Sequence, residues 1–153
     1  MEMIIAIGCD HAGVELKGKI RSLLETAGIT VQDFGTNNST SVDYPDFGAK
    51  VSSMVSKNEA ARGILICGTG IGMSIVANKF KGVRAALCHD TYTARMSRLH
   101  NDSNILVIGS RIVSPDIIED IVNEWLKTDF EGGRHTKRLQ KITEIEDLGG
   151  YNK

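Results

Sequence analysis

Five apolar runs, at residues 3–9, 29–34, 63–67, 83–88 and 104–109, alternate with five helix-like segments, at 14–27, 45–56, 73–80, 92–100 and 115–127. This alternation constrains the fold more than any other feature of the chain. Each helix returns the chain to lay the next strand parallel to the last, so the sheet must be mainly parallel and covered on both faces. Residues 4–7 and 64–66 are continuously apolar instead of alternating, as strands buried on both sides are. Gly28 stands where a helix-ending glycine belongs, and Pro45 and Pro115 stand at first-turn positions. Residues 35–43 form one polar loop, and the tail beyond residue 128 is polar, with a short helix expected at 136–145. A length of 153 residues suits one domain with a substantial core. The expected architecture is α/β: a single doubly wound, Rossmann-like domain over 1–153, with a five-stranded, mainly parallel sheet, helices on both faces and a C-terminal helical tail.

Composition narrows the function classes. A net charge of −1 gives no global field to attract nucleic acid or an acidic membrane. No apolar run reaches the length of a membrane span. The first residues read as a strand, without the basic leader of a signal peptide. Three cysteines without a C-x-x-C pair disfavour a disulfide framework or a structural zinc site, and fit a reducing cytosol.

The densest chemistry lies at residues 63–72, Gly-Ile-Leu-Ile-Cys-Gly-Thr-Gly-Ile-Gly. Cys67 sits at a strand exit, and Gly68, Gly70 and Gly72 follow at every second position. Alternating glycines allow a tight turn that points several N–H groups at one spot, and the following helix adds its own free N–H groups. An anion should bind there, beside a thiol whose ionisation the same field favours. The spacing is not the G-x-G-x-x-G of dinucleotide sites, and Met73-Ser74 does not complete a Walker loop. Nor does an arginine stand six residues after the cysteine, as in cysteine phosphatases, because Met73 holds that place. The plainer alternative is a tight turn beside a small buried cysteine.

Ligands of open parallel sheets bind outside the carboxyl ends of the strands. Those exits here carry Cys9-Asp10-His11, Gly35, Cys67 with its loop, Cys88-His89-Asp90, and Ser110-Arg111. Asp10 and Asp90 are equally suited to capping the next helix. Farther on, Arg134 and Arg138 lie four apart, so on a helix they share a face that suits one phosphate or plain solvent.

With these residues in view, the chain resembles ribose-5-phosphate isomerases of the B type, in the family shared with galactose-6-phosphate and allose-6-phosphate isomerases. The likeness runs through Gly8-Cys9-Asp10-His11-Ala12-Gly13 with Leu16-Lys17, Asp43-Tyr44-Pro45-Asp46-Phe47, and Cys67-Gly68-Thr69-Gly70-Ile71-Gly72. It continues in Ala77-Asn78-Lys79, Gly82-Val83-Arg84-Ala85-Ala86, His89-Asp90, Ser97-Arg98-Leu99-His100-Asn101-Asp102 and Gly132-Gly133-Arg134-His135. The resemblance implies interconversion of an aldose phosphate and a ketose phosphate, with neither metal nor organic cofactor. It makes Cys67 the base that moves a proton between C1 and C2, and His100 the group that opens the sugar ring. Gly68, Thr69, Gly70, Ile71 and Gly72 would stabilise the enediolate. Asp10, His11 and Asn101 would hold the sugar, and Arg111, Arg134 and Arg138 the phosphate. Thr69 would assist the thiol or satisfy the loop backbone, and Tyr44 would line the pocket or pack beside Pro45. Some relatives place a glutamate just after the glycine loop as base, a role Met73 cannot take.

The chemistry suits such a loop: removing a proton beside a carbonyl builds charge on oxygen, which preorganised N–H donors stabilise. Ribose 5-phosphate is the expected substrate, a hexose 6-phosphate the nearest alternative, and a non-catalytic phosphosugar-binding domain a more distant one. The segment 92–100 runs back from the binding rim, about 13 Å for nine residues at 1.5 Å each. His100 and Asn101 are therefore expected far from their own Cys67, and a neighbouring copy would supply them. The expected partners are a small sugar phosphate and a second copy of the chain in a cytoplasmic homodimer with shared sites, with a dimer of dimers as the next assembly.

Overall fold

The computed structural model describes residues 2–149. Its strands are β1 (Ile4–Cys9), β2 (Thr30–Asp33), β3 (Arg62–Cys67), β4 (Ala85–Leu87) and β5 (Ile105–Gly109). Its helices are α1 (Val14–Thr26), α2 (Tyr44–Ser56), α3 (Ile71–Ala77), α4 (Thr91–Asn101), α5 (Ile118–Lys127) and α6 (Arg134–Asp147). All strand pairs are parallel, in the order β2-β1-β3-β5-β4. The direction of winding reverses between β1 and β3, which opens a crevice at their carboxyl ends.

Strand side chains alternate between two cores. Ile5, Ile7, Ile64, Ile66, Leu106 and Ile108 pack with Ile20 and Leu24 of α1, Ala94 of α4, and Ile121 and Trp125 of α5. On the other face Ala6, Leu65, Cys67, Ile105 and Val107 meet Val51 and Val55 of α2 and Met73 and Ala77 of α3. Burying an aliphatic side chain of this size contributes about 1.5–3 kcal/mol, so the central strands anchor the domain.

Among the elements whose bounds differ from those expected, three have a visible local cause or setting. α3 starts at Ile71, two residues early, because Gly70 turns into the left-handed region at φ 78° and the Thr69 hydroxyl accepts from the Ile71 N–H. β4 is three residues long, because side-chain amides replace part of its ladder: Asn78 Oδ1 accepts from Ala85 N and Asn104 Oδ1 from Arg84 N. α6 starts at Arg134, directly after Gly132 and Gly133 at φ 70° and 57°. Its first turns lie against the end of α4, and Glu146 near its far end accepts from the Gly82 N–H ahead of β4.

Candidate active site

At the crevice, Asp10 is 7% exposed and its carboxylate accepts from the Ala12 N–H at 2.9 Å, so it caps the turn into α1. His11 is tied to the 35–43 loop, where its Nδ1 accepts from Val42 N–H at 3.3 Å. A neutral His11 with that bond carries its proton on Nε2. The loop is itself anchored by Lys17, which is buried and reaches Asp33 at 2.7 Å and Asn37 at 2.8 Å. Burial works to raise the Asp33 carboxyl, but hydrogen bonds from Lys17 and Gly35 and the charges of Lys17 and Arg21 outweigh it and hold the group below its ordinary range.

Cys67 ends the central strand β3 on the α2–α3 face, 5% exposed. Its carbonyl accepts from Ser110 N–H, and that of Gly68 from Arg111 N–H, each at 2.9 Å, which draws the exits of β3 and β5 together. Arg111 lies over the loop: a Cβ on Gly68 would stand 3.1 Å from its Nη1. Tyr44 closes the other side, where a Cβ on Gly72 would stand 2.5 Å from the ring. A Cβ at either point would displace the side chain lying against it, so the two glycines allow Arg111 and Tyr44 to approach the loop closely. Thr69 serves the backbone at Ile71. Cys9 and Cys88 are buried strand-exit residues; burial above all pushes the Cys9 thiol up to about 11 and raises that of Cys88. Asp90 caps α4, accepting from Thr93 N–H at 2.6 Å.

The other sequence-predicted residues gather elsewhere. His100 and Asn101 end α4, four residues or more before β5 begins at Ile105. Cys67 pairs with Gly109 at the opposite end of that strand. Four residues of strand separate those ends by about 13 Å. His100 stacks on His135 of α6, with ring centroids 4.3 Å apart and planes 18° apart. His135 is 5% exposed, and burial, with the nearby charges of His100 and Arg134, lowers its pKa against the opposing pull of Glu131. Arg134 and Arg138 lie one turn apart on α6, and among the described residues neither pairs with a carboxylate.

The sequence-predicted residues therefore fall into two groups on one chain. Asp10, His11, Tyr44, Cys67, the 68–72 loop and Arg111 lie at the carboxyl ends of the strands. His100, Asn101, Arg134 and Arg138 lie at the amino ends, beside a groove of about 670 Å³ between β4 and α6 lined in part by Arg84, Asn101, Leu139 and Ile142. Sequence reasoning assigned no role to His135 or Glu131. The signal for His135 was its place between two arginines at the start of a helix. The sequence likewise assigned no part to Lys17, a lysine among apolar helix positions.

An open parallel sheet with a thiol and a glycine loop at its winding reversal is an arrangement suited to an α/β enzyme with a small anionic ligand. The family model described as Ribose/Galactose Isomerase matches residues 5–142. The chain belongs to that family and is an isomerase. It is 49% identical over 146 residues to the putative sugar phosphate isomerase YwlF of Bacillus subtilis, covering 95% of this chain and 98% of that one. It is 49% identical over 142 residues to ribose-5-phosphate isomerase B of Escherichia coli, covering 93% and 95%. The solved ribose-5-phosphate isomerase B of Clostridium thermocellum superposes with a TM-score of 0.94 at 55% identity, covering 97% of this chain and all of that one. Among the described residues, no helix is long and apolar enough to cross a membrane.

Proposed function

We propose that the chain interconverts D-ribose 5-phosphate and D-ribulose 5-phosphate in the cytosol, with each active site assembled from two copies of the chain. The observation that carries this reading is Cys67 at the mouth of a glycine loop whose next residue, Gly68, has the Arg111 guanidinium against it. His100 of one copy opens the furanose by moving a proton between ring oxygen and anomeric hydroxyl. The Cys67 thiolate of the other copy then takes the proton from C2 of the aldose, leaving an enediolate. The N–H groups of residues 68–72 hold the developing oxyanion. The thiol returns the proton to C1, while a proton moves from the C2 to the C1 oxygen, giving the ketose. Asp10, His11, Tyr44 and Asn101 hold the sugar.

α6 supports the phosphate assignment. Its opening turns hold Arg134, His135, Lys137 and Arg138 and no acid, the reverse of what a helix N-terminus favours. Unrelieved, this stacks positive charge on the positive end of the helix; a phosphate there relieves both. Assembly is supported by two exposed apolar stripes. Ile71 and Ile75 project from α3 beside the Cys67 half-site, and Ile142 and Ile145 from α6 beside the groove at the other half-site. A two-fold axis that seats α3 of each copy near α6 of the other covers both stripes and joins both pairs of half-sites.

The test is a comparison of kcat/KM for ribose 5-phosphate, allose 6-phosphate and galactose 6-phosphate, alongside Cys67→Ala. Loss of a general base costs about 10²–10⁴-fold. Near-normal kcat in Cys67→Ala rejects the base, and a hexose phosphate with the highest kcat/KM rejects the substrate.

A further inference from the structure

We infer that His100, Glu131 and His135 form a binding site for a zinc-class divalent cation, one whose occupancy shuts the enzyme down. One ligand atom from each of the three residues lies within 4.8 Å of the other two. His135 Nε2 is buried and has no hydrogen-bond partner. Glu131 Oε2 stands 3.3 Å away but out of hydrogen-bond alignment. A buried nitrogen left in that condition costs stability and calls for an occupant on its lone pair. Two donors on a tetrahedral zinc ion, with bonds of about 2.0–2.1 Å, stand about 3.3 Å apart, the separation seen between His135 and Glu131.

The third ligand needs movement. His100 is stacked on His135, so it must turn off the stack and come closer, by at most about 1.5 Å, to reach tetrahedral spacing. It is only half-buried in the last turn of α4, whereas His135 is fixed by packing. Two imidazoles and one carboxylate are a set that suits zinc and leaves a fourth position open to water or a sugar oxygen. Glu131 is held in place by its own N–H, which donates to Leu99 O at 3.1 Å. An ion at this site is an inhibitor and no part of the reaction: metal on His100 takes the lone pair of the neutral imidazole, so the ring has none left to accept a proton from the sugar. That consequence rests on the ring-opening role proposed for His100; the site itself does not.

The experiment uses full-length, chelator-treated protein titrated with ZnCl2 by calorimetry, with bound metal measured after dialysis. The expected result is one Zn²⁺ per chain in the wild type and in Cys67→Ala. Glu131→Gln and His135→Asn should each weaken binding by more than about tenfold, the lower range for loss of a group that merely supports a ligand. Zinc should inhibit wild-type turnover reversibly, with chelator restoring it, while Glu131→Gln turns over normally and resists zinc. Equal binding by wild type, Glu131→Gln and His135→Asn overturns the site, as does binding that disappears in Cys67→Ala. Binding at the site with turnover of furanose substrate unchanged at saturation upholds the site and rejects His100 as the ring-opening group.

Discussion

Exchange between two inactive variants tests the split site. Cys67→Ala removes the proposed base at the carboxyl end of β3, and His100→Ala removes the proposed ring-opening group at the end of α4. In one chain these lie on opposite ends of β5, about 13 Å apart in strand rise alone. Each homodimer should fall to about 1% of wild-type turnover or lower, the loss expected without an acid–base group. Mixed in equal amounts and allowed to exchange, the variants form heterodimers as about half of all dimers, and one of the two sites in each is intact. The mixture should therefore recover about a quarter of wild-type activity, some 25-fold or more above either parent. Turnover is followed by ketose formation, and native mass spectrometry counts the heterodimer. Heterodimer present in full amount with activity at the parental level refutes the shared site and requires His100 to reach its own Cys67.

Other residues give independent checks. Arg134→Ala and Arg138→Ala should each raise KM and erase the preference for phosphorylated over free sugar, since a lost charge-assisted bond costs about 1.5–3 kcal/mol, or roughly ten- to more than a hundredfold; unchanged discrimination in both variants returns α6 to a solvated basic helix. Asp33 is held below its ordinary pKa in the folded state, so its stabilising contribution is complete above the unfolded value near 3.9 and fades as pH falls through the lower folded value. Urea midpoints should therefore show Asp33→Asn clearly less stable than wild type at about pH 7 and the gap narrowing below about pH 4; a gap constant with pH contradicts the Lys17–Asp33 anchor. Gly70→Ala forces a side chain to φ 78° with its Cβ 2.4 Å from Leu87 and 3.1 Å from Gly109 N, whereas Gly72→Ala meets only the Tyr44 ring. Calorimetry should show Gly70→Ala losing about 1–3 kcal/mol, roughly 2–12 °C in Tm, and Gly72→Ala much less. Gly72→Ala should instead raise KM by displacing Tyr44.

The fold was legible because its signals are local. Apolar runs marked the central strands to within a residue or two, and Gly28, Pro45 and Pro115 placed helix ends through backbone chemistry of their own. The errors fell where side chains or distant residues substitute for backbone pairing. β4 is cut short by the amides of Asn78 and Asn104, which no periodicity reveals. The grouping of residues at the carboxyl ends of the strands could be read because strand exits and loop glycines follow one another along the chain. The stack of His100 on His135 joins residues 35 apart through the packing of α6 on α4, a contact that helical spacing alone does not specify. Lys17 was obscure for a similar reason: its partners Asp33 and Asn37 come from β2 and the loop after it.

The placement of Cys67 and His100 at opposite ends of the sheet has a genetic consequence under the proposed shared site. A chain defective at Cys67 alone, paired with a normal chain, spoils one site and leaves the other whole. So does a chain defective at His100 alone. A chain with both lesions spoils both: one site lacks its thiol and the other its imidazole. Co-expressed with the normal chain, the double variant should act as a poison, and each single variant should merely dilute. Two lesions on one allele are then dominant, while the same two lesions on separate alleles complement each other.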